Sequence, residues 1–265
     1  MKRLFPLLLA LTLLSGACSS DDGGGAAGSS TASAAPTELT VFAASSLTAA
    51  FEDAIGPAFE AANPGVRVTF NVGASDTLAG QIQSEGTADV FASASGTWMD
   101  AVERDPGVQD RTDFVQNRLV IITPPDNPAG IQSIDDLATP GVQLVLAAEG
   151  VPVGDYGREA LKNAGISKDA LANVVSNEED NASVVAKITA DEADAAIVYE
   201  SDVSAAAGND VTAIEIPEAI NVVATYPIAV VDGAPNADAA ADFVAYVVAS
   251  DGQATLKEYG FEPIA

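Results

Sequence analysis

The chain has 265 residues, with 38 acidic and 11 basic side chains, no histidine and one cysteine. This length is enough for one large or two medium domains, and the single cysteine excludes an internal disulfide. The formal net charge of −27 excludes nucleic acid as a natural partner, because phosphate binding requires a basic surface.

The first residues have the pattern of an export signal. A basic start precedes an apolar run from Leu4 to Leu14, too short to span a bilayer comfortably, and small residues follow up to Ala17. We therefore predict a signal peptide at residues 1–17. Cys18 resembles the lipidated cysteine of bacterial lipoproteins, which predicts an anchor at the outer face of the cell membrane or in the periplasm; the alternative is a stray cysteine in a discarded peptide. Residues 18–37, rich in Ser, Gly and Ala, predict a flexible tether.

The apolar segment Val41–Ala44 leads directly into two serines, Ser45 and Ser46. Apolar residues then recur at every fourth position from Leu47 to Phe59, which predicts a helix with one buried face. Ser46 would lie at or beside the helix N-cap, where unpaired N–H groups and the helix dipole can bind an anion. The alternative is that Ser46 only caps the helix.

Short β-like runs alternate with helical patterns from Leu39 onward, which predicts an α/β fold built on parallel strands. The stretch Ala237–Tyr259 predicts two surface helices. The candidate strands are Leu39–Ala43, Val66–Val72, Val90–Ala92, Leu119–Thr123, Val142–Ala147, Val174–Val175, Ala195–Tyr199 and Ile228–Val231.

Four of the predicted strand-to-helix junctions lack lysine and arginine. In an open α/β sheet, ligands bind beyond the carboxyl ends of the strands, so these helix starts can converge on one cleft. At the last junction, Asn177 with Asp180 three residues later approximates a capping arrangement. The junctions are Ser45–Ser46, Gly73–Thr77, Val151–Tyr156 and Asn177–Asn181.

Several segments between Leu39 and Phe261 together resemble the molybdate-binding proteins, the extracytoplasmic solute receptors of molybdate ABC transporters. Each segment is weak evidence by itself, whereas their shared order and spacing are strong evidence. The segments are Val41–Leu47, Ala88–Ala94 with Trp98–Asp100, Asn117–Val120, Val151–Tyr156, Ala196–Asp202, Tyr226–Val231 and Tyr259–Phe261.

The resemblance implies a type II periplasmic-binding-protein clamshell, an α/β fold of two lobes. Residues 38–117 and 227–265 would form lobe 1, and residues 118–226 would form lobe 2. The two interlobe crossovers would lie near Asn117–Thr123 and Tyr226–Val231.

The resemblance also implies that neutral donors alone hold a tetrahedral oxyanion. The matching positions are the hydroxyls of Ser46 and Ser75, the backbone N–H groups of Val153 and Asn181, and the phenol of Tyr199. The implied protein is a monomer that captures molybdate or tungstate and passes it to an ABC permease, with no cofactor and no enzymatic activity.

This chain departs from the family pattern at three positions. Asp76 stands beside Ser75 where small or hydroxyl residues are usual, and a carboxylate there would oppose a bound anion unless it points to solvent. Asn181 replaces a commonly apolar residue, and Ser95 stands where relatives often carry aspartate. These departures bear on ligand preference and affinity more than on the fold.

Several of these residues could instead have purely structural roles. Tyr199 could be a core tyrosine whose hydroxyl reaches solvent. We expect Trp98 to pack rather than to stack on a ligand, and Asp89 and Asp180 to cap a helix or turn.

Two other functions remain to be weighed. A receptor for sulfate, phosphate or a metal cation could use the same architecture, with Asp76, Asp155, Asp180 and Asp202 joining Tyr199 around a cation. The absence of histidine argues against transition metals.

A serine hydrolase with Ser46 as nucleophile would need a general base. The chain has no histidine, and no lysine lies near any of the four junctions in sequence. Catalysis is therefore disfavoured.

Overall fold

The structure is a computed structural model that describes residues 35–203 and 210–264. The predicted signal peptide, Cys18 and nearly all of the predicted tether lie outside the described residues. No helix within the described ranges is long and apolar enough to cross a membrane.

Strands and helices alternate along most of the described chain. The strands are β1 (Thr37–Ala44), β2 (Val66–Gly73), β3 (Val90–Ala92), β4 (Val108–Asn117), β5 (Leu119–Thr123), β6 (Leu144–Ala147), β7 (Val174–Glu178), β8 (Ala195–Tyr199), β9 (Thr212–Glu215), β10 (Ala224–Val231) and β11 (Glu262–Pro263). The α-helices are α1 (Thr48–Ala50), α2 (Gly56–Ala62), α3 (Ser75–Glu85), α4 (Gly96–Arg104), α5 (Pro152–Asn163), α6 (Ser167–Ala172), α7 (Asn181–Thr189), α8 (Glu200–Asp202), α9 (Ala237–Val248) and α10 (Ser250–Glu258).

The strands form two sheets, and each sheet is the centre of one lobe. The first sheet has the order β11-β4-β10-β3-β1-β2, and the second has the order β7-β6-β8-β5-β9. The chain passes from the first sheet to the second at Arg118, between β4 and β5, and returns between Glu215 and Ala224. The expected two-lobed α/β fold with two crossovers is confirmed, although the return lies earlier than Tyr226–Val231.

Both sheets are mixed, with the expected parallel pairs at one side of each sheet and antiparallel pairs at the other. The pairs β1–β2, β1–β3, β6–β7 and β6–β8 are parallel, whereas β10 pairs antiparallel with β3 and β4, and β5 pairs antiparallel with β8 and β9. The antiparallel strands β5 and β10 both lie close to a crossover between the lobes. The sequence analysis missed β4, β9 and β11, because β4 is mainly polar and partly exposed and the other two are short.

The predicted helix with apolar residues at every fourth position contains an irregularity that explains this spacing. A 3₁₀ turn at Ser45–Leu47 and helix α1 lead into a π-helical turn at Phe51–Ile55, before α2. A spacing of four drifts by about 40° per step around an α-helix of 3.6 residues per turn, and a wider π turn offsets part of this drift. Leu47 and Phe59, at the ends of the pattern, are therefore both buried.

Aromatic packing fixes this helical segment on lobe 1. The Phe51 ring centroid lies 5.9 Å from those of Phe70 and Phe243, and 6.4 Å from that of Phe114. Burying a phenylalanine side chain contributes about 1.5–3 kcal/mol. The segment after β1 is thus rigidly placed, and with it Ser45 and Ser46.

Of the three residues expected to cap a helix or turn, Asp180 does so, whereas Asp89 and Asn177 have other partners. Asp180 caps α7 by accepting from Ser183 N–H at 2.8 Å. Asp89 accepts from the backbone N–H of Thr40 at 2.8 Å and of Asn236 at 2.7 Å, which ties β1 to the start of α9. Asn177 does not cap α7, because it lies within β7, where its side chain accepts from Arg158.

Candidate functional site

A small cavity of about 10 Å³ lies where strand ends and helix starts of both lobes meet. It is lined by neutral residues only: Ala44, Ser45, Gly73, Ala74, Ser75, Ala94, Val151, Pro152, Val153, Asn181 and Tyr199. Four of the five predicted ligand residues are therefore brought together here. This volume is roughly that of one water-sized sphere, so a tetrahedral oxyanion enters only if the lobes separate.

Ser75 presents a hydroxyl that is free to donate. It is the first residue of α3 and is 1% exposed. Its Oγ accepts a hydrogen bond from the Ala94 N–H at 3.0 Å. A hydroxyl has one proton and two acceptor lone pairs, so the proton of Ser75 remains available to a bound anion.

The two adjacent serines after β1 have different partners. Ser45 lines the cavity and donates its hydroxyl to the side-chain oxygen of Asn181, across the cleft. Ser46 does not line this cavity; its Oγ lies 2.9 Å from the phenol oxygen of Tyr226. Ser46 does line a neighbouring cavity of about 360 Å³, which shares Ser45 and Asn181 with the smaller one.

The orientation of the Ser46 proton depends on its bond with Tyr226. The Asn117 side-chain N–H₂ donates to the Tyr226 oxygen at 3.4 Å, and burial raises the pKa of Tyr226, which keeps the phenol protonated. Either hydroxyl can be the donor in the bond between Tyr226 and Ser46. When the Tyr226 O–H donates to Ser46 Oγ, the Ser46 proton is free for an anion, which is the donor role implied by the family resemblance. No hydrogen bond makes Ser46 a helix cap.

Two helices start at the cavity with unpaired backbone donors. Val153 is the second residue of α5, after Pro152, and Asn181 is the first residue of α7. The first four N–H groups of an α-helix have no intrahelical partner, and they carry the positive end of the helix dipole. Both predicted backbone donors thus lie in the first turn of a helix that begins at the cavity.

Tyr199 supplies a phenol at the end of β8. Its side chain is 1% exposed, and its hydroxyl has no hydrogen-bond partner among the described residues. The neighbouring Tyr226, with its ring centroid 5.8 Å away, is hydrogen-bonded to Ser46 and accepts from Asn117. Burial raises the pKa of Tyr199, so the phenol stays protonated. A buried hydroxyl without a partner loses about 1–3 kcal/mol, which a ligand oxygen would restore.

Asp202 is a buried carboxyl that contacts residues of the small cavity but does not line that cavity itself. It accepts from the Asn181 side-chain amide at 2.6 Å and from the Tyr199 backbone N–H at 3.0 Å. Burial raises its pKa to about 7, although both hydrogen bonds act in the opposite direction. The sequence analysis considered Asp202 only for a cation site. Its contact with Asn181, on another helix, required the tertiary structure.

The other acidic residues considered for a cation site do not converge. Asp180 caps α7, Asp155 accepts from the Gly150 N–H at 2.9 Å, and Asp76 does not line the cavity, although one of its oxygens is buried without a partner. No group of three or more acidic, cysteine or histidine side chains within residues 35–203 and 210–264 could hold a metal ion.

The fold and the neutral cavity between its lobes define a two-lobed solute-binding protein. A model of the family described as bacterial extracellular solute-binding protein matches residues 39–262. The chain belongs to this family.

Comparisons with individual proteins agree with this assignment. The chain is 39% identical to the molybdate-binding protein ModA of Mycobacterium tuberculosis over 233 residues, which are 86% of this chain and 87% of that protein. The periplasmic molybdate-binding protein of Azotobacter vinelandii has the same fold, with 18% identity and a TM-score of 0.75 over 86% of this chain and 100% of that chain. The sulfate-binding protein SubI of M. tuberculosis also has this fold, with 19% identity and a TM-score of 0.76 over 86% and 87% of the two chains. The resemblance to molybdate-binding proteins is confirmed.

Proposed function

We propose that this protein captures molybdate, and also tungstate, outside the cytoplasm and delivers it to an ABC permease. The observation that carries the proposal is the convergence of neutral donors on a cavity lined by no charged side chain. The 39% identity to a protein named for molybdate binding supports the choice of anion. The proposed donors are the hydroxyls of Ser46, Ser75 and Tyr199 and the backbone N–H groups of Val153 and Asn181.

Neutral donors can hold a dianion for two physical reasons. Hydrogen bonds to a charged acceptor are roughly twice as strong as those between neutral groups. The starts of α5 and α7 supply fixed dipoles whose positive ends face the cavity. The net charge of −27 weakens long-range attraction, but the Debye length is about 8 Å at physiological salt, so distant surface carboxylates are screened.

Sulfate is the second candidate, because a sulfate-binding protein shares the fold. Sulfate has the same charge and shape as molybdate but shorter bonds. A ring of donors set by two lobes in contact fits one anion size best, so we expect the larger molybdate and tungstate to bind more tightly. A cation is disfavoured, because the described acidic side chains form no ligand cluster.

Calorimetric titration of the purified chain with molybdate, tungstate, sulfate and phosphate tests the proposal. Molybdate and tungstate should compete for one site, and sulfate and phosphate should bind far more weakly. Titration at two salt concentrations separates this site from non-specific anion binding, which salt screens. Equal affinity for sulfate and molybdate would refute the size argument, and binding of sulfate alone would make the protein a sulfate receptor.

We further propose that the protein acts as a monomer on a lipid anchor at Cys18, with residues 18–37 as a tether. The support is the apolar run that ends in small residues before Cys18. Replacing Cys18 with alanine should leave an unlipidated form that no longer partitions with membranes. Unchanged partitioning would contradict the anchor.

A further inference from the structure

Trp98 forms a hydrogen bond between the lobes. It lies on α4 in lobe 1, and its indole Nε1–H donates to the carbonyl oxygen of Gly150 in lobe 2 at 2.8 Å. Trp98 does not line the small cavity. The sequence analysis expected it to pack, and nothing in its local pattern indicated a partner in the other lobe.

Gly150 belongs to the loop that carries a proposed anion donor. This loop joins the end of β6 at Ala147 to α5, whose second residue is Val153. The Gly150 N–H donates to Asp155 Oδ1 at 2.9 Å, and the Val151 N–H donates to the Ala148 carbonyl at 3.2 Å. Gly150 has a φ of 92°, a conformation that favours glycine. The loop is thus internally fixed, and it presents the Gly150 carbonyl to Trp98.

A second contact joins α4 to helix α5 itself. Ser95 is the N-cap of α4, and Tyr156 lies in α5. Burial raises the pKa of the Tyr156 phenol, and a hydrogen bond with the Ser95 side chain acts in the opposite direction. The start of α4 therefore makes one polar contact with the loop before α5 and one with α5. A third interlobe bond, from Ser45 to Asn181, involves the start of α7 instead.

We propose that Trp98 is a positioning residue that holds the Ala147–Val153 loop against lobe 1 and thereby slows release of the bound anion. This inference rests on the proposed function, because it concerns the same site. When the lobes separate, the indole N–H and the Gly150 carbonyl return to water, so their bond favours the closed state only. A typical net hydrogen bond corresponds to a roughly 2- to 10-fold change in the population of the closed state.

The test replaces the donor and keeps the shape of the side chain. In the full-length chain, β-(benzothiophen-3-yl)alanine at position 98 puts sulfur in place of the indole N–H. Gln83→Met is the matched control, because Gln83 donates to the Ala101 carbonyl on the same helix α4, within lobe 1, at 3.2 Å. The readouts are the molybdate dissociation rate by stopped flow and the amide hydrogen exchange of residues 148–153.

We expect the analogue to release molybdate roughly 2- to 10-fold faster than the parent, with a smaller change in the association rate. Amide exchange at residues 148–153 should also be faster, and Gln83→Met should change neither quantity. An unchanged dissociation rate in the analogue would overturn the proposal. If the parent binds no molybdate, the proposed function fails. Amide exchange in the unliganded chain then tests the role of Trp98 separately: equal exchange of residues 148–153 in analogue and parent would overturn that role.

Discussion

Asn181 and Asp202 are in direct contact, with the amide nitrogen of Asn181 2.6 Å from a carboxylate oxygen of Asp202. The same Asn181 side chain accepts from Ser45 in the other lobe. Its amide is therefore held in one orientation by a buried carboxyl on one side and by an interlobe hydroxyl on the other. An apolar residue at this position could make neither bond.

Replacing Asn181 with valine should separate the side-chain role from the backbone role. The proposed anion donor is the Asn181 N–H, which valine retains, so molybdate binding should persist. The free energy of unfolding at pH 8 should fall by about 1–3 kcal/mol, because Asp202 loses a buried donor. Urea denaturation and calorimetry measure the two effects. Loss of binding in a folded variant would show that the side chain itself is required.

Replacing Tyr199 with phenylalanine should weaken molybdate binding without destabilising the fold. Its hydroxyl has no hydrogen-bond partner among the described residues, so its removal breaks no bond in the unliganded protein. A hydrogen bond to a charged group contributes about 1.5–3 kcal/mol, which predicts a loss of affinity of roughly 10- to 150-fold. Calorimetry gives the affinity and thermal unfolding gives the stability. A destabilised variant with unchanged affinity would contradict the role as a donor.

The three serines at the site should differ in their effects on binding. Ser46→Ala and Ser75→Ala should each weaken molybdate binding by about 1.5–3 kcal/mol, because each removes a hydroxyl proposed to donate to the anion. Ser45→Ala should have a smaller effect, since its proton is already donated to Asn181. Ser84→Ala is the control, because Ser84 lies on α3 like Ser75 but is exposed and bonds only within its helix. A larger loss with Ser45→Ala than with Ser46→Ala would reverse the assignment.

Asp202 should make the protein less stable as pH rises, whereas a salt-bridged carboxylate makes a protein more stable as pH rises. Its pKa is about 7 in the folded protein and 3.8 in the reference state. Between about pH 4 and 7 the folded state holds a proton that the unfolded chain lacks, so the free energy of unfolding falls as pH rises. Over this window the group contributes at most about 4 kcal/mol.

The comparison with Asp202→Asn isolates this contribution from the many other carboxylates. Relative to the variant, the parent should gain stability when the pH is lowered from 8 to 5. Urea denaturation at both pH values measures the difference. A constant difference would mean that Asp202 does not change protonation in this range.

Molybdate should make the protein more compact in solution. The proposed donors lie on both lobes, with Ser46 and Ser75 on lobe 1 and Val153, Asn181 and Tyr199 on lobe 2. An anion gains all of them only when the lobes close, so it must favour the closed state. Small-angle scattering should show a smaller radius of gyration with saturating molybdate than with sulfate at equal ionic strength. An unchanged radius in a sample shown to start open would favour a preformed site.

Sequence patterns predicted the elements whose burial shows in local periodicity. The segments β3, β5 and β8 were predicted with their observed bounds, because they are short apolar runs buried on both faces. The terminal helices α9 and α10 were also predicted, since Phe243 and Val247 mark a buried helical face. By contrast, β4 is largely polar and partly exposed, so its residues carry no signal of their own. Its position depends on antiparallel pairing with β10, about a hundred residues later in the chain.

The candidate site, like the fold, could be predicted from the sequence only in part. Hydroxyl residues and helix starts at strand ends are local features, and with the family resemblance they were sufficient to select Ser75, Val153, Asn181 and Tyr199, which all line one cavity. The choice between Ser45 and Ser46 depends on Tyr226 and Asn181, which are distant in sequence. The roles of Asp202 and Trp98 likewise come from bonds to residues far along the chain. A local pattern reports which side chains a segment offers, whereas the partners of those side chains are set only by the tertiary structure, within each lobe and between the lobes.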